Sequence, residues 1–164
     1  MALDKDTRTQ LINTLERFVR EPLIPLEAKV EEDDEIPQEI IEEMKTMGLF
    51  GLSIPEEFGG LGLGMVDDVL VNITFGRTTP PFSTTFGTNI GIGAQGIVID
   101  GTEEQKQKYL PKFSAGEVSA FALTEDGVGS DPAQMKTVAE PDANGDYVLN
   151  GEKLWCTNGV KAST

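Results

Sequence analysis

The sequence predicts an α+β fold, in which an all-helical N-terminal domain precedes an incomplete antiparallel β-domain. Apolar residues recur at the three- and four-residue spacing of amphipathic helices through the first two-thirds of the chain. After Gly116 this spacing gives way to short apolar runs and two Asn-Gly pairs, the strongest short-range signal for tight hairpins. The last segment supplies only a few strands, too few to close a barrel or complete a sandwich. We therefore expect a helical domain over residues 1–116 and the start of a β-domain over residues 117–164.

The composition fits a globular protein and excludes several classes of partner. The chain has 164 residues, of which 38% are hydrophobic and 25% charged, so it can form one domain or two small ones. Its net charge of −15 argues against binding nucleic acid or an anionic membrane surface, because both need clustered basic residues. The acidic run Glu31–Glu35 is typical of a solvated segment, with a docking site for a basic partner as the alternative.

The signals and residue types that the sequence lacks limit where the protein can be located and which chemistry it can perform. No apolar run approaches the roughly 18 residues of a membrane span. The first residues resemble neither a secretion signal nor a transit peptide, so we expect a cytoplasmic location. With no histidine and only Cys156, the chain has no Ser-His-Asp triad, no internal disulfide and no expected metal site. Its chemistry must use carboxylates, hydroxyls, backbone groups or a cofactor.

Two helices are predicted in the first third of the chain. The first should end at Pro22 and Pro25, because proline lacks a backbone donor. Its apolar stripe consists of Leu11, Ile12, Leu15, Phe18 and Val19. The second should begin at Ile36-Pro37 and stop at Gly48. The residues it should bury are Ile40, Ile41, Met44 and Met47.

Three further helices are predicted before the sheet. One follows Gly64, and its inward residues should be Val69, Leu70, Ile73 and Phe75. Another should cover Asn89 to Asp100. The last should begin at Thr102, because Thr102–Gln105 forms a capping box that satisfies free N–H groups at a helix start.

The sheet region should contain short antiparallel strands. Ser119–Leu123 and Met135–Ala139 are predicted as strands. Hairpin turns are expected at Asn144-Gly145 and Asn150-Gly151, since both residues of a type I′ turn need positive φ.

Gly91–Gly96 matches the Gly-x-Gly-x-x-Gly pattern of dinucleotide-binding folds. That motif functions only between a buried strand and a helix, with an acidic residue about 20 positions later. The preceding residues make a poor strand, and Leu110 and Pro111 stand where the acid should be. We therefore favour small residues that allow close packing over a nicotinamide site.

Two segments of the sheet region are candidates for cofactor binding. Residues 123–131 supply hydroxyls, backbone N–H groups and two glycines, which suits either a pyrophosphate site or a polar turn. Residues 155–159 place an indole beside a hydroxyl, which could stack on a flat heterocycle. The alternative is that Trp155 is a core residue. We interpret Cys156 as a packing residue, because no neighbouring base is evident.

Taken together and in order, these segments resemble the acyl-coenzyme A dehydrogenase family over nearly the whole chain. The helical motifs that carry the resemblance are Pro55–Gly62, Gly101–Lys106, Tyr109–Pro111 and Gly116-Glu117. The motifs similar to the family's two flavin-contacting segments are Leu123–Glu125 with Gly129–Asp131, and Asn150–Gly159. Several ordered motifs are far more specific than any one alone.

The resemblance implies a flavoenzyme with FAD as cofactor. The residues implied in FAD binding are Phe121, Leu123, Thr124, Gly129, Ser130, Trp155 and Thr157, with Ser130 also near the acyl-coenzyme A substrate. The implied reaction is α,β-dehydrogenation of an acyl thioester, in which a glutamate removes the α-proton and FAD accepts hydride. An electron-transfer flavoprotein is the implied electron acceptor, and a homotetramer the implied assembly. The implied setting is fatty acid metabolism.

Departures from the family pattern affect the turn, one strand and the length of the chain. Asp126 stands where the family usually has proline, Val128 where it has alanine, and Cys156 where it has an aliphatic residue. The family's catalytic glutamate lies in a final helical domain, so no catalytic residue is expected here, and Glu125 is assigned to the flavin motif. We expect the chain to be inactive alone. The alternatives are a non-catalytic module, or part of a related acyl-coenzyme A oxidase or flavin monooxygenase.

Overall fold

The computed structural model describes residues 3–163 and shows helices first, then an antiparallel sheet. The helices are α1 (Lys5–Phe18), α2 (Ile24–Asp33), α3 (Gln38–Thr46), α4 (Met65–Phe75), α5 (Pro80–Ile90), α6 (Gln95–Asp100) and α7 (Glu103–Ser114). The strands are β1 (Val138–Pro141) and β2 (Tyr147–Asn150). This order confirms the predicted fold class. No helix within the described range is both long and apolar enough to cross a membrane.

The first helix continues past two prolines instead of ending at them. Asp4 caps α1 by accepting hydrogen bonds from two backbone N–H groups of its first turn. After Phe18 the chain forms a π-helical turn over Val19–Leu23, and Pro22 lies inside it. Pro25 then falls in the first turn of α2, where backbone N–H groups need no helical acceptor. The predicted helix end is therefore wrong, because the wider turn tolerates the missing donor.

Two other helices confirm their predicted start or end. α3 buries Ile40 and Met44 and leaves Ile41 and Met47 half-buried against the same core. Gly48 follows it in a left-handed conformation, with φ of 75°. At the start of α7, Thr102 Oγ1 accepts from the N–H of Gln105 at 3.2 Å, and Gln105 Oε1 accepts from the N–H of Thr102 at 2.8 Å. The capping box is thus formed in both directions.

α4 begins after Gly64 as predicted but turns a different face to the core. It buries Asp67, Val71, Thr74 and Phe75 and leaves Leu70 half-buried. Val69 and Ile73, which the apolar pattern directs inward, are 48% and 58% exposed. The orientation follows from Asp67, whose carboxylate pairs with the guanidinium of Arg8 on α1. A buried carboxylate needs such a partner, and the same face of α4 buries Val71 and Phe75, of which Phe75 was predicted to point inward.

α5 occupies a segment that the sequence does not identify as a helix. Phe82, Phe86 and Ile90 recur every four residues along it and are buried. The chain then turns over residues 91–94 before α6, so the single helix predicted from Asn89 to Asp100 is wrong at its start. Gly91–Gly96 therefore connects two helices, and no strand within residues 3–163 precedes it. The nicotinamide alternative loses its structural basis.

The helical core consists of two clusters of buried side chains. In the larger one, the ring of Phe75 meets those of Phe18 and Phe86 edge-on, with centroids 6.4 Å and 4.9 Å apart. The smaller one lies under α7 and contains Ile54, Phe58, Ala94, Leu110 and Phe113. Through these clusters, α5 and α7 are packed firmly against the rest of the helical domain.

The hairpin at the first Asn-Gly pair forms, but with a longer loop than a two-residue turn. Val138 pairs with Asn150 and Pro141 with Tyr147, so residues 142–146 connect the strands. Gly145 takes the left-handed position, with φ of 88°. The carboxylate of Asp142 accepts from backbone N–H groups within the loop, which lengthens the turn.

The second predicted hairpin, at Asn150-Gly151, does not form. Residues 151–156 have no strand pairing, and neither does the predicted strand Ser119–Leu123. Instead, the N–H of Leu154 donates to the carbonyl of Thr124 at 2.8 Å. A long-range backbone hydrogen bond thus forms where a ladder between neighbours in sequence was expected.

Candidate functional site

A tight turn near the start of the sheet region is closed by two backbone hydrogen bonds. The N–H of Glu125 donates to the carbonyl of Val128 at 3.1 Å, and the reverse bond is 3.0 Å long. Gly127 occupies a left-handed position between them, with φ of 75°. The turn buries the side chains of Glu125 and Val128 and exposes Gly129 and Ser130.

The carboxylate of Glu125 is fixed by three donors. Its Oε2 accepts from the N–H of Lys136 at 2.6 Å, and its Oε1 accepts from the N–H of Thr137 at 3.0 Å and from Lys153 Nζ at 2.7 Å. The Lys153 ammonium, assisted by these backbone donors, lowers the pKa of Glu125 to about 2. The group is therefore ionised at neutral pH and has both oxygens occupied, which makes it a poor proton acceptor.

Lys153 joins the two candidate cofactor segments. In addition to Glu125, its Nζ donates to the carbonyl of Leu123 at 3.1 Å and lies 3.3 Å from the sulfur of Met135. Its neighbour Leu154 bonds to Thr124. Residues 123–125 and 153–154 are therefore held side by side.

Trp155 is exposed and held in an unusual backbone conformation. Its side chain is 86% exposed, and its φ is 58°. The left-handed region costs a residue with a Cβ about 1–2 kcal/mol, and such strain concentrates at functional sites. The interpretation of Trp155 as a core residue is wrong, since almost none of the indole is packed.

Asn158 holds the end of this segment against α5. Its Nδ2 donates to the carbonyl of Thr84 at 3.1 Å and to Thr88 Oγ1 at 2.9 Å. The neighbouring Thr157 consequently lines an open cleft of about 360 Å³. The other lining residues come from α4, α5 and the turn after α5, and include Asn72, Ser83, Gly87, Gly91 and Ile92.

Asn89 fastens the start of the sheet region to the helices. It is fully buried, and its Nδ2 donates to the carbonyls of Phe113 at 3.1 Å and Glu117 at 2.6 Å. Its Oδ1 accepts from the N–H and the hydroxyl of Ser119, at 2.8 Å and 2.9 Å. One amide side chain thus satisfies four polar groups where the chain leaves α7.

The structure brings together some of the sequence-predicted site residues. The hydrogen bond between Leu154 and Thr124 places Leu123 and Thr124 alongside the segment of Trp155 and Thr157. Phe121, 43% exposed, precedes them on the same segment. Gly129 and Ser130 lie on the exposed side of the turn. Within residues 3–163 no hydrogen bond links these two residues to Trp155 or Thr157.

Sequence reasoning did not assign a role to the residues that hold the site in place. Lys153 is 28 positions from Glu125, Asn158 is 70 positions from Thr88, and Asn89 is 30 positions from Ser119. No periodicity connects residues so far apart. Glu125 carries no local signal of its burial either, since it lies between Thr124 and Asp126.

Two family models match this chain. "Acyl-CoA dehydrogenase, N-terminal domain" matches residues 5–117, and "Acyl-CoA dehydrogenase, middle domain" matches residues 120–164. Among whole proteins, the chain is similar to the mitochondrial isovaleryl-CoA dehydrogenase of Solanum tuberosum. The two are 39% identical over 97% of this chain, which corresponds to 39% of that relative.

Solved structures of acyl-CoA dehydrogenases share the fold. One, complexed with FAD and from Bacillus anthracis, has a TM-score of 0.88 and 39% identity, covering 97% of this chain and 28% of that one. Butyryl-CoA dehydrogenase from Megasphaera elsdenii has a TM-score of 0.87 and 27% identity, covering 98% of this chain and 43% of that one. The chain therefore spans less than half the length of each of these relatives.

Proposed function

Because this chain belongs to the acyl-CoA dehydrogenase family, we propose that it forms one wall of the FAD and acyl-CoA site of a longer flavin-dependent acyl-CoA dehydrogenase. The proposed reaction of the whole protein is α,β-dehydrogenation of an acyl-CoA thioester. The observation that carries the proposal is the exposed indole of Trp155, held in a strained conformation beside Thr124 and next to the cleft at Thr157.

The side chains present fit a flavin. The indole of Trp155 offers a flat apolar face for stacking, and the hydroxyls of Thr124 and Thr157 can donate to a heterocycle. The backbone N–H groups of Gly129 and Ser130 donate to no protein acceptor within residues 3–163. Unpaired N–H groups in a turn form a concave anion site, which suits a pyrophosphate.

Each residue then has a defined part in binding. Bound FAD would supply the hydride-accepting chemistry. The residues proposed to contact it are Phe121, Leu123, Thr124, Gly129, Ser130, Trp155 and Thr157. We assign Ser130 also to the acyl-CoA chain. The indole of Trp155 would stack on the flavin, and the hydroxyl of Thr157 would donate a hydrogen bond to it.

The cleft beside Thr157 suits an aliphatic acyl chain. Gly87 and Gly91 leave its floor open, and Ile92, 60% exposed, gives it an apolar edge. Asn72 and Thr88 add polar groups to its lining. We propose that the acyl group enters this cleft while its thioester faces the flavin.

The catalytic base lies outside this chain in our proposal. Glu125 is unsuitable, because its pKa is lowered to about 2 and its oxygens accept three hydrogen bonds. General-base catalysis needs a group with a pKa near the working pH within hydrogen-bond reach of the proton. We therefore propose that this chain alone does not turn over acyl-CoA.

Five further features stay predictions. The proposed electron acceptor is an electron-transfer flavoprotein, the proposed assembly is a homotetramer, and the proposed metabolic setting is the metabolism of fatty acids. The domain division, 1–116 and 117–164, and the cytoplasmic location expected from the sequence also remain to be tested.

Fluorescence tests the flavin contact directly, because the chain has one tryptophan. Because this chain supplies only one wall of the proposed site, we expect it to bind FAD weakly, yet FAD should quench Trp155 saturably and more than it quenches N-acetyltryptophanamide at the same concentrations. NAD⁺ should quench Trp155 no more than it quenches N-acetyltryptophanamide. Thr157→Val should weaken the quenching of Trp155 by FAD. Quenching by FAD equal to that of the free amino acid would refute the proposed contact.

Turnover tests the assignment of the base. We expect no reduction of an artificial electron acceptor when the chain and FAD are mixed with straight- or branched-chain acyl-CoA thioesters. Turnover by the chain and FAD alone would show instead that the base lies within this chain.

A further inference from the structure

The two candidate flavin segments are joined by very few interactions. Lys153 Nζ donates to the carbonyl of Leu123 at 3.1 Å and to Glu125 Oε1 at 2.7 Å, and the N–H of Leu154 donates to the carbonyl of Thr124 at 2.8 Å. Neither segment belongs to a strand in the described part of the chain. These bonds are therefore the direct links between the two segments, and no β-ladder pairs one with the other.

Glu125 provides the fixed end of this connection. It is 6% exposed, and the N–H groups of Lys136 and Thr137 hold its carboxylate next to β1 at 2.6 Å and 3.0 Å. Lys153 is 23% exposed, so its ammonium reaches this carboxylate from a largely desolvated position. Hydrogen bonds between charged partners are shorter and stronger than neutral ones.

Resting on the proposed function, we propose that the Glu125–Lys153 ion pair is a positioning pair that sets Trp155 against Thr124. Lys153 touches neither heterocycle nor substrate in this assignment. It acts through Leu154 and Trp155, which follow it directly in the chain and have no regular secondary structure to restrain them. The strained φ of 58° at Trp155 is then maintained by a restraint on each side, Lys153 before it and Asn158 after it.

Position 125 needs a carboxylate because both of its side-chain oxygens must accept hydrogen bonds. Glu125 accepts from three donors with two oxygens. The amide of Glu125→Gln has one oxygen, so its NH2 group would face a donor in either orientation. Lys153→Met is the gentler change, because it removes the ammonium and leaves both backbone donors of the carboxylate in place.

The experiment uses the 164-residue chain with three variants. Lys153→Met breaks the pair, Lys153→Arg retains a cation, and Glu152→Gln alters an exposed carboxylate next door as the matched control. The first measurement is hydrogen exchange of the Leu154 amide by NMR. The second is the fluorescence anisotropy of Trp155, recorded without FAD.

We expect Lys153→Met to speed exchange at Leu154 by about tenfold or more. A charged hydrogen bond of this kind changes the equilibrium between the closed and open segment by about that factor. Amides within α1 and α7 should be unchanged, and the anisotropy of Trp155 should fall. Lys153→Arg should restore much of the slow exchange at Leu154 and of the anisotropy of Trp155. Glu152→Gln should behave as the parent chain. Unchanged exchange and anisotropy in Lys153→Met would overturn the positioning role.

FAD quenching separates this inference from the proposed function. Where the parent shows saturable quenching, Lys153→Met should raise the FAD concentration needed for half the effect by about tenfold. Equal quenching in the two chains would overturn the inference while leaving the proposed function intact. Absent quenching in the parent, together with faster exchange in the variant, would refute the proposed function and keep the positioning role.

Discussion

Replacing Asn89 with leucine, a side chain of similar size, should weaken the attachment of the sheet region to the helices. The amide makes four hydrogen bonds in a fully buried position, to the carbonyls of Phe113 and Glu117 and from the N–H and hydroxyl of Ser119. Asn89→Leu removes all four and leaves their partners facing an apolar side chain. Two of the three partner residues, Phe113 and Ser119, are themselves buried, at 2% and 1% exposure.

The expected loss can be worked from these contacts. At about 1 kcal/mol for each net hydrogen bond, the free energy of unfolding should fall by about 4 kcal/mol. Domains have only about 5–15 kcal/mol of stability in total, so the loss is a large fraction of it. At roughly 2–4 °C per kcal/mol for a chain of this size, the midpoint of thermal unfolding should drop by about 8–16 °C.

Urea denaturation followed by circular dichroism measures the effect of Asn89→Leu. The matched control is Asn13→Leu on the exposed face of α1, which should change stability by no more than about 0.5 kcal/mol. A loss below about 1 kcal/mol for Asn89→Leu would show that the four bonds are not formed together, and would refute the reasoning.

Two other changes follow from the same structure. Gly93→Ala should destabilise the chain by about 1–3 kcal/mol in urea, because a Cβ there would lie 2.8 Å from the carbonyl of Thr88 and against the hydroxyl of Ser119. Gly96→Ala, where a Cβ meets nothing within 4 Å, should be neutral or stabilising in α6, and equal effects of the two changes would contradict the packing. The pH dependence of Trp155 anisotropy should follow Glu125, whose pKa is lowered from 4.5 to about 2. A lowered pKa contributes stability above about pH 4.5 that is lost as pH falls towards 2, so the anisotropy should fall in that interval, and Glu125→Gln should remove the transition.

Local signals predicted the elements whose cause is local. The capping box at Thr102 and the glycine after α3 each involve residues within a few positions, and both formed as expected. α5 was missed because Thr, Ser and Gly between its buried phenylalanines hide the four-residue period. The hairpin at Asn150-Gly151 failed for the opposite reason, since the bond from Leu154 to Thr124 competes with pairing between sequence neighbours.

The candidate site likewise has parts that local sequence signals predict and parts that they do not. The motifs place Trp155 and Thr157 near each other because they are two positions apart in sequence. They do not predict the partners of Asn158, which lie on α5, or those of Asn89, which connects α5 to the residues after α7. Long-range hydrogen bonds of this kind have no period and no fixed spacing, so only the folded chain reveals them.

The central claim is that Thr124, Ser130, Trp155 and Thr157 form one flavin-binding face. Amide and indole NMR signals of the labelled chain, recorded while FAD is added, test it most directly. We predict that the signals of these four residues shift together with a single saturation curve, whereas signals from α1 to α3 stay unchanged. Shifts confined to α1–α3, or no shift at the four residues as FAD rises, would contradict the account.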